Sequence, residues 1–305
     1  MTYDFSMSAE ARLTVAEELR GGTLMPPIIT EEMEADLAAC TVAEIAVPTR
    51  VGPSRVIKVT PPGGHAGPRP VFVNFHGGGF VRGYHPRDTI FCAQVALATG
   101  ALVLDVDYRL APEHPFPTGL TECHDVVAWA FDQAAALDID PDRIAIGGHS
   151  AGGNFATAIC LMAQESGAFR VCGQMLDYPF LDGVTPAAQK LDPRSVMPAW
   201  RMEAFNVLYA STPENLTNPL LSPVMALPEA LEGLPPALIL IAGLDPLRFE
   251  AQRYAGQLIA AGVDVDVRQF ADCDHGWVVT ARPGYREARA LIFGWLDALF
   301  TRKND

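Results

Sequence analysis

The apolar positions of this chain follow two spacings. Short β-branched runs bounded by Gly and Pro predict strands, and longer stretches with apolar residues three and four apart predict helices. Residues 1 to about 40 have helical spacing from Ser8-Ala9-Glu10-Ala11 onward, with a break at Met25-Pro26-Pro27. Two strand-like runs follow with no helix between them, 43–48 and 55–60, separated at Gly52-Pro53. Beyond the turn Pro61-Pro62-Gly63-Gly64, strands are predicted at 71–75, 101–106, 143–147, 173–178, 237–242 and 263–270. Helices are predicted at 89–99, 121–136, after Ser150, and at 246–261 and 284–300. Residues 180 to about 235 interrupt the alternation: they are rich in Pro and hold one aromatic, Met-containing helix at 199–210, which reads as an insertion. Eight strands, the first two adjacent and the others alternating with helices, predict an α/β fold, a mostly parallel sheet covered on both faces. Ligands of such sheets sit beyond the carboxyl ends of the strands.

At one such end the chain reads Gly147-Gly148-His149-Ser150-Ala151-Gly152-Gly153, between a predicted strand and a predicted helix. This is Gly-x-Ser-x-Gly, a turn so sharp that only glycine fits beside the serine, and it holds the Ser150 hydroxyl exposed. A phosphate cradle is the competing reading, but the run lacks the Lys-Ser/Thr of a P-loop and the glycine spacing of a dinucleotide fold. A serine nucleophile needs a base, and the base needs an orienting carboxylate, here in the order serine, acid, histidine. Only one histidine follows Ser150 in the chain, His275, just past the last predicted strand. Asp245 follows the strand before it, in Gly243-Leu244-Asp245-Pro246. A helix N-cap competes for its side chain, and we assign it mainly to the histidine. Glu250 lies inside the next helix, and Asp272 and Asp274 are too near His275 in the chain to orient it easily. Donors for an oxyanion are expected from the backbone of Ala151 and from Gly77 and Gly78 in His76-Gly77-Gly78-Gly79-Phe80, where no Cβ blocks close approach. An unperturbed imidazole base would make activity rise near pH 6.5 (approximately).

Composition narrows the setting. Over 305 residues, 49% hydrophobic and 19% charged content belongs to a folded chain with a sizeable core. A net charge of −14 argues against nucleic acid and anionic membrane surfaces as partners. No apolar run approaches the roughly 20 residues that span a bilayer, and residues 1–20 do not read as a secretory signal. The six cysteines are scattered without metal spacing, as expected of reduced thiols in a cytoplasmic protein.

With these residues in place, the chain resembles the bacterial hormone-sensitive-lipase-like esterases (family IV) of the α/β-hydrolase superfamily. Supporting stretches are Asp107-Tyr108-Arg109-Leu110-Ala111-Pro112-Glu113-His114-Pro115, Asp177-Tyr178-Pro179 and Asp245-Pro246-Leu247-Arg248, and the likeness is dense from about 69 to 278. The resemblance implies one α/β-hydrolase domain over 1–305, with 1–40 and 180–235 forming a helical cap. It implies cofactor-free hydrolysis of short- to medium-chain acyl esters, and dimerisation through the edge around 263–270. The apolar residues Met197, Trp200, Met202, Phe205 and Tyr209 of the cap, with Phe80 and Trp277, are expected to line the acyl pocket, although ordinary cap packing explains the stripe equally well. Three positions depart from the family pattern: His149 and Phe249 where Asp is common, and Trp277 where Phe is. His149 adjoins Ser150 on the turn and should point away from its Oγ. Trp277 beside the base is expected to narrow the site, so that Trp277→Phe broadens the accepted acyl length. An amide or formamide hydrolase with the same triad is the nearest alternative function. A non-catalytic small-molecule receptor is the distant one, since the whole triad is retained.

Overall fold

The computed structural model describes residues 4–22 and 25–302. Residues 1–3 and 23–24 of the expected cap, and the terminal 303–305, lie outside the described residues. The chain opens with helices α1 (Ala9–Gly21) and α2 (Glu31–Ala39), followed by the strands β1 (Thr41–Val47), β2 (Ser54–Thr60) and β3 (Arg69–Phe75). Next come α3 (Pro86–Thr99), β4 (Leu102–Asp107), α4 (Thr118–Asp132), the short α5 (Ala134–Leu137), β5 (Ile139–His149), α6 (Ala151–Ser166) and β6 (Gly173–Asp177). The insertion holds α7 (Ala187–Lys190), α8 (Ala199–Ala210) and α9 (Pro228–Leu231). The chain then closes with β7 (Ala237–Ala242), α10 (Arg248–Ala260), β8 (Val265–Phe270) and α11 (Tyr285–Thr301).

The eight strands form one sheet in the order β1-β2-β4-β3-β5-β6-β7-β8. β2 pairs antiparallel with β1 and with β4, and every pairing from β4 through to β8 is parallel. Side chains alternate across the central strands, so each face builds its own core. Val71, Val73 and Ile239 join the α4, α6 and α10 side, whereas Phe72, Val103 and Leu240 join the α3 and α11 side. Full burial of one such side chain contributes about 1.5–3 kcal/mol. Helix α1 packs on α8. Among the described residues no helix is long and apolar enough to cross a membrane.

The elements match the expected ones, with three informative shifts. Helix α6 starts at Ala151, so Gly152 and Gly153 belong to its first turn. A Cβ on Gly152 would lie 1.8 Å from the Phe75 carbonyl oxygen, and one on Gly148 2.3 Å from the same atom. Glycine is required here because backbone meets backbone. Helix α10 begins at Arg248 rather than Pro246, since the Asp245 carboxylate closes its own turn by accepting from Leu247 N at 3.0 Å. Strand β5 begins four residues earlier than its apolar run, at Ile139, which pairs with Arg69 beyond a register shift.

Candidate active site

Strands β3, β5 and β7 and the segment after β8 deliver their side chains to one edge of the sheet. Ser150 stands between β5 and α6 at φ 55° and ψ −113°, a left-handed conformation that L side chains rarely adopt. Strain of this kind costs about 1–3 kcal/mol and persists only when the surroundings hold it. Here they do: Ser150 N donates to Asp177 O at 2.9 Å, and Ser150 O accepts from Asn154 N at 3.2 Å and Phe180 N at 3.1 Å. The Asn154 amide also donates to the carbonyls of Phe180 and Leu221, at 2.9 and 2.8 Å, and ties the elbow to the insertion.

His275 and Asp245 come together as expected, with His275 Nδ1 2.7 Å from Asp245 Oδ2. Asp245 is 1% exposed and serves two partners, because its Oδ1 accepts from Leu247 N while Oδ2 faces the imidazole. The competition between turn-capping and histidine-orienting roles is thus resolved by one oxygen for each. Burial pushes the His275 pKa down, but the Asp245 charge and hydrogen bond outweigh it, with Asp274 and Glu250 adding to them. The net is a pKa above the ordinary 6.5, so an imidazole base here gains its neutral form at higher pH than an unperturbed one.

Asp274, set aside from the sequence as a poor orienter, holds the histidine loop instead. Its Oδ1 accepts from His275 N at 2.7 Å and from Ser195 Oγ at 2.8 Å, and its Oδ2 accepts from Val196 N at 2.6 Å. Glu250 anchors the insertion in a similar way. It accepts from Leu181 N at 2.7 Å and pairs with Lys190 Nζ at 2.6 Å, both partners being buried. Burial pushes its pKa up to about 7, against the pull of Lys190.

His149 points away from the hydroxyl. Its ring is buried under Phe91 and Tyr178, with Nδ1 2.7 Å from Asp177 Oδ2. Burial takes the His149 pKa down to about 3, helped by Arg289, and raises that of Asp177, so both groups are driven toward their neutral forms.

The glycine run follows β3. Gly78 and Gly79 have φ of 135° and 61°, and Gly77 approaches the elbow so closely that a Cβ would lie 3.0 Å from His149 O. His76 stacks on Tyr108 at 4.1 Å, and the Tyr108 hydroxyl donates to His76 O at 2.8 Å, which braces the loop from behind. Ala151 is the first residue of α6, where backbone N–H groups have no intrahelical acceptor.

A cavity of about 110 Å³, measured as room for the centres of water molecules, opens onto Ser150 and His275. Of the expected acyl contacts, Phe80, Met197, Met202 and Phe205 line it. Trp200, Tyr209 and Trp277 do not. Trp200 is 43% exposed, on the outward side of α8. Tyr209 lies behind Phe80, stacked on it at 3.7 Å. Trp277 is packed against Tyr178 and Phe270 at 5.3 and 5.4 Å, behind the cavity wall rather than in it. Spacing alone did not reveal which side of the cavity wall each ring takes. Other residues that line the cavity were not expected: Met25, Tyr178, Asn206, Leu247 and three arginines, Arg82, Arg87 and Arg201. The available signal was an arginine two positions beyond Phe80 and another inside the apolar stripe of α8.

The matching family model is described as alpha/beta hydrolase fold and spans residues 72–279. The chain is 37% identical to the esterase LipI of Mycobacterium tuberculosis over 211 residues, covering 68% of this chain and 66% of the relative. It is 33% identical to the carboxylic ester hydrolase LipN of the same organism, covering 82% and 68%. Those matches thus take in about two thirds of each curated relative. Among solved structures, a hyperthermophilic esterase from Pyrobaculum calidifontis superposes with a TM-score of 0.83 at 30% identity, covering 97% of this chain and 99% of that one.

Proposed function

The chain belongs to the alpha/beta hydrolase fold family, in its hormone-sensitive-lipase-like branch, and from that premise we propose that it hydrolyses short- to medium-chain carboxylic esters through an acyl-serine intermediate. The observation that carries this reading is the 2.7 Å contact of His275 with buried Asp245, beside a cavity that Ser150 also lines. With Nδ1 engaged by the carboxylate, Nε2 is the nitrogen left to accept a proton from Ser150. The serine oxygen attacks the ester carbonyl, and the oxyanion is held by the backbone N–H groups of Gly77, Gly78 and Ala151. His275 returns the proton to the leaving alcohol, which departs as the acyl-serine forms. Water, deprotonated by the same imidazole, then adds to the acyl carbonyl and releases the carboxylic acid and free Ser150. The reaction balances with this chain's side chains and water alone.

Segments 1–40 and 180–235 act as the cap in this reading, with Met197 and Phe205 as acyl contacts and Phe80 at the floor. The setting is the cytoplasm, where the six free cysteines stay reduced. A homodimer joined at the β8 edge belongs to the same reading, and sedimentation equilibrium tests it. The decisive experiment is hydrolysis of p-nitrophenyl esters from acetate to palmitate, beside Ser150→Ala. Turnover that peaks at short to medium chains and vanishes in the variant is expected. Folded protein that turns over none of these esters would refute the reading and direct the same pair to aryl formamides.

A further inference from the structure

The cavity that opens onto Ser150 is lined by three arginines, Arg82, Arg87 and Arg201, and by no aspartate or glutamate among the described residues. This is the reverse of the molecule as a whole, in which 36 acids outnumber 22 lysines and arginines. Arg201 comes from α8 and is 3% exposed. Among the described residues its guanidinium meets two carbonyls, those of Leu19 and Gly22, each at a long 3.4 Å, and the Phe205 ring at 5.4 Å. The Arg82 side chain makes no hydrogen bond or ion pair among the described residues, and its buried Nε has no partner. Its backbone N donates to Gly78 O at 2.9 Å, so the side chain starts directly behind the glycine loop. Arg87 Nε is likewise buried and unbonded, with Asp88 Oδ1 3.7 Å away. Asp88 also acts on Arg82, but one carboxylate can offset only one of the three charges, and no other acid lines the cavity among the described residues.

Burial lowers the Arg201 pKa to about 10 and lowers that of Arg82, and the arginines add to this by repelling one another: Arg82 acts on Arg201, and Arg87 on Arg82. Arg82 and Arg201 stay protonated at neutral pH. Unpaired like charges in a half-dry, largely apolar cavity are costly, and a bound anion relieves them.

Building on the esterase reading, we infer that the substrate is an ester carrying a second, ionised carboxylate, which Arg82 and Arg201 take between the cap and the glycine loop. A guanidinium presents two parallel N–H donors that match a carboxylate, whereas an alkyl chain gains nothing from it. The arginines therefore set specificity, and the bond that breaks is still the ester bond.

The test measures kcat/KM in a pH-stat for two matched pairs, with Ser150→Ala as blank. Monoethyl glutarate against ethyl valerate places the charge on the acyl side. The butyrate ester of 3-hydroxypropionate against propyl butyrate places it on the alcohol side. Wild-type protein is expected to prefer the anionic member of one pair by about tenfold or more, the scale of one charge-assisted hydrogen bond. Arg82→Gln should cut that ratio by about tenfold, Arg82→Lys should restore part of it, and added salt should reduce it in the wild type. No preference in either pair, or a preference that Arg82→Gln leaves unchanged, overturns the inference. If no ester is hydrolysed, the esterase reading fails, and calorimetry of monoethyl glutarate on Ser150→Ala decides the anion site separately. Heat that disappears on adding Arg82→Gln upholds it, and absence of heat overturns it. Tighter binding of inorganic phosphate than of the glutarate would overturn the carboxylate assignment.

Discussion

Asp274 joins the histidine loop to the inserted segment at Ser195 and Val196, and removing it should separate two effects that its carboxylate combines. Asp274→Ala deletes the acceptor for Ser195 Oγ and Val196 N, at 2.8 and 2.6 Å, as well as the local contact to His275 N. Hydrogen bonds to a charged acceptor contribute about 1.5–3 kcal/mol each when buried. Val196 is exposed and Asp274 half-buried, so the two cap contacts together should contribute about 2 kcal/mol. For a domain of this size that corresponds to a fall in melting temperature of about 4 °C. The second effect is electrostatic. The Asp274 charge helps hold the His275 pKa above 6.5. In the wild type, kcat/KM for p-nitrophenyl butyrate should therefore rise with pH through a midpoint above that value, since only the neutral imidazole accepts the proton. In Asp274→Ala the protonated imidazole loses support, its pKa falls, and the acid limb should move to lower pH. Ser195→Ala is the control, because it loosens the inserted segment and leaves the charge. It should lower the melting temperature without moving the limb. An acid limb that stays or rises in Asp274→Ala would refute the reasoning, as would a Ser195→Ala variant that shifts the limb equally.

Three further outcomes are expected. Asp245→Asn should leave the fold intact and lower kcat by about four orders of magnitude, through loss of the histidine's orientation and tautomer; a loss under about tenfold would remove Asp245 from the triad. Gly152→Ala should cost about 3 kcal/mol or more in urea unfolding, because its Cβ meets the Phe75 carbonyl at 1.8 Å and neither backbone can yield. Asp177→Asn should be tolerated within about 1 kcal/mol, since an amide can still donate to neutral His149 Nδ1, whereas Asp177→Ala should cost about 2–3 kcal/mol by orphaning it. A large loss for the Asn variant would show that the pair is ionic.

Much of this was legible in the chain because the constraints are local. Gly147 to Gly153 had to be glycine-rich around the serine wherever the elbow lay, and a lone histidine after Ser150 left no choice of base. Strand and helix periods were enough to predict a sheet covered on both faces, and alternation along β3 sends Val71 and Phe72 into different cores. Side-chain direction within the insertion was another matter. Trp200, Phe205 and Tyr209 all sit on one helix, yet one faces outward, one lines the cavity and one backs Phe80, which the spacing of apolar residues does not distinguish. The arginine cluster was hidden for a different reason. Arg201 joins residues 82 and 87 only through long-range packing, and each alone resembles an ordinary surface charge. The double use of Asp245 was likewise invisible, because two oxygens on one carboxylate can satisfy needs that looked exclusive.

The close fit of Gly148 and Gly152 against the Phe75 carbonyl bears on how such a protein can diversify. The end of β3 and the start of α6 are locked backbone to backbone, so the reacting oxygen and the glycine loop shift together or not at all. The walls of the cavity are built otherwise, from the side chains of Met197, Arg201 and Phe205 on an inserted segment. Substitutions there can redraw the range of accepted substrates without moving an atom of the bond-making apparatus. A lineage carrying this architecture can explore new diets one side chain at a time, while the chemistry it inherits stays fixed.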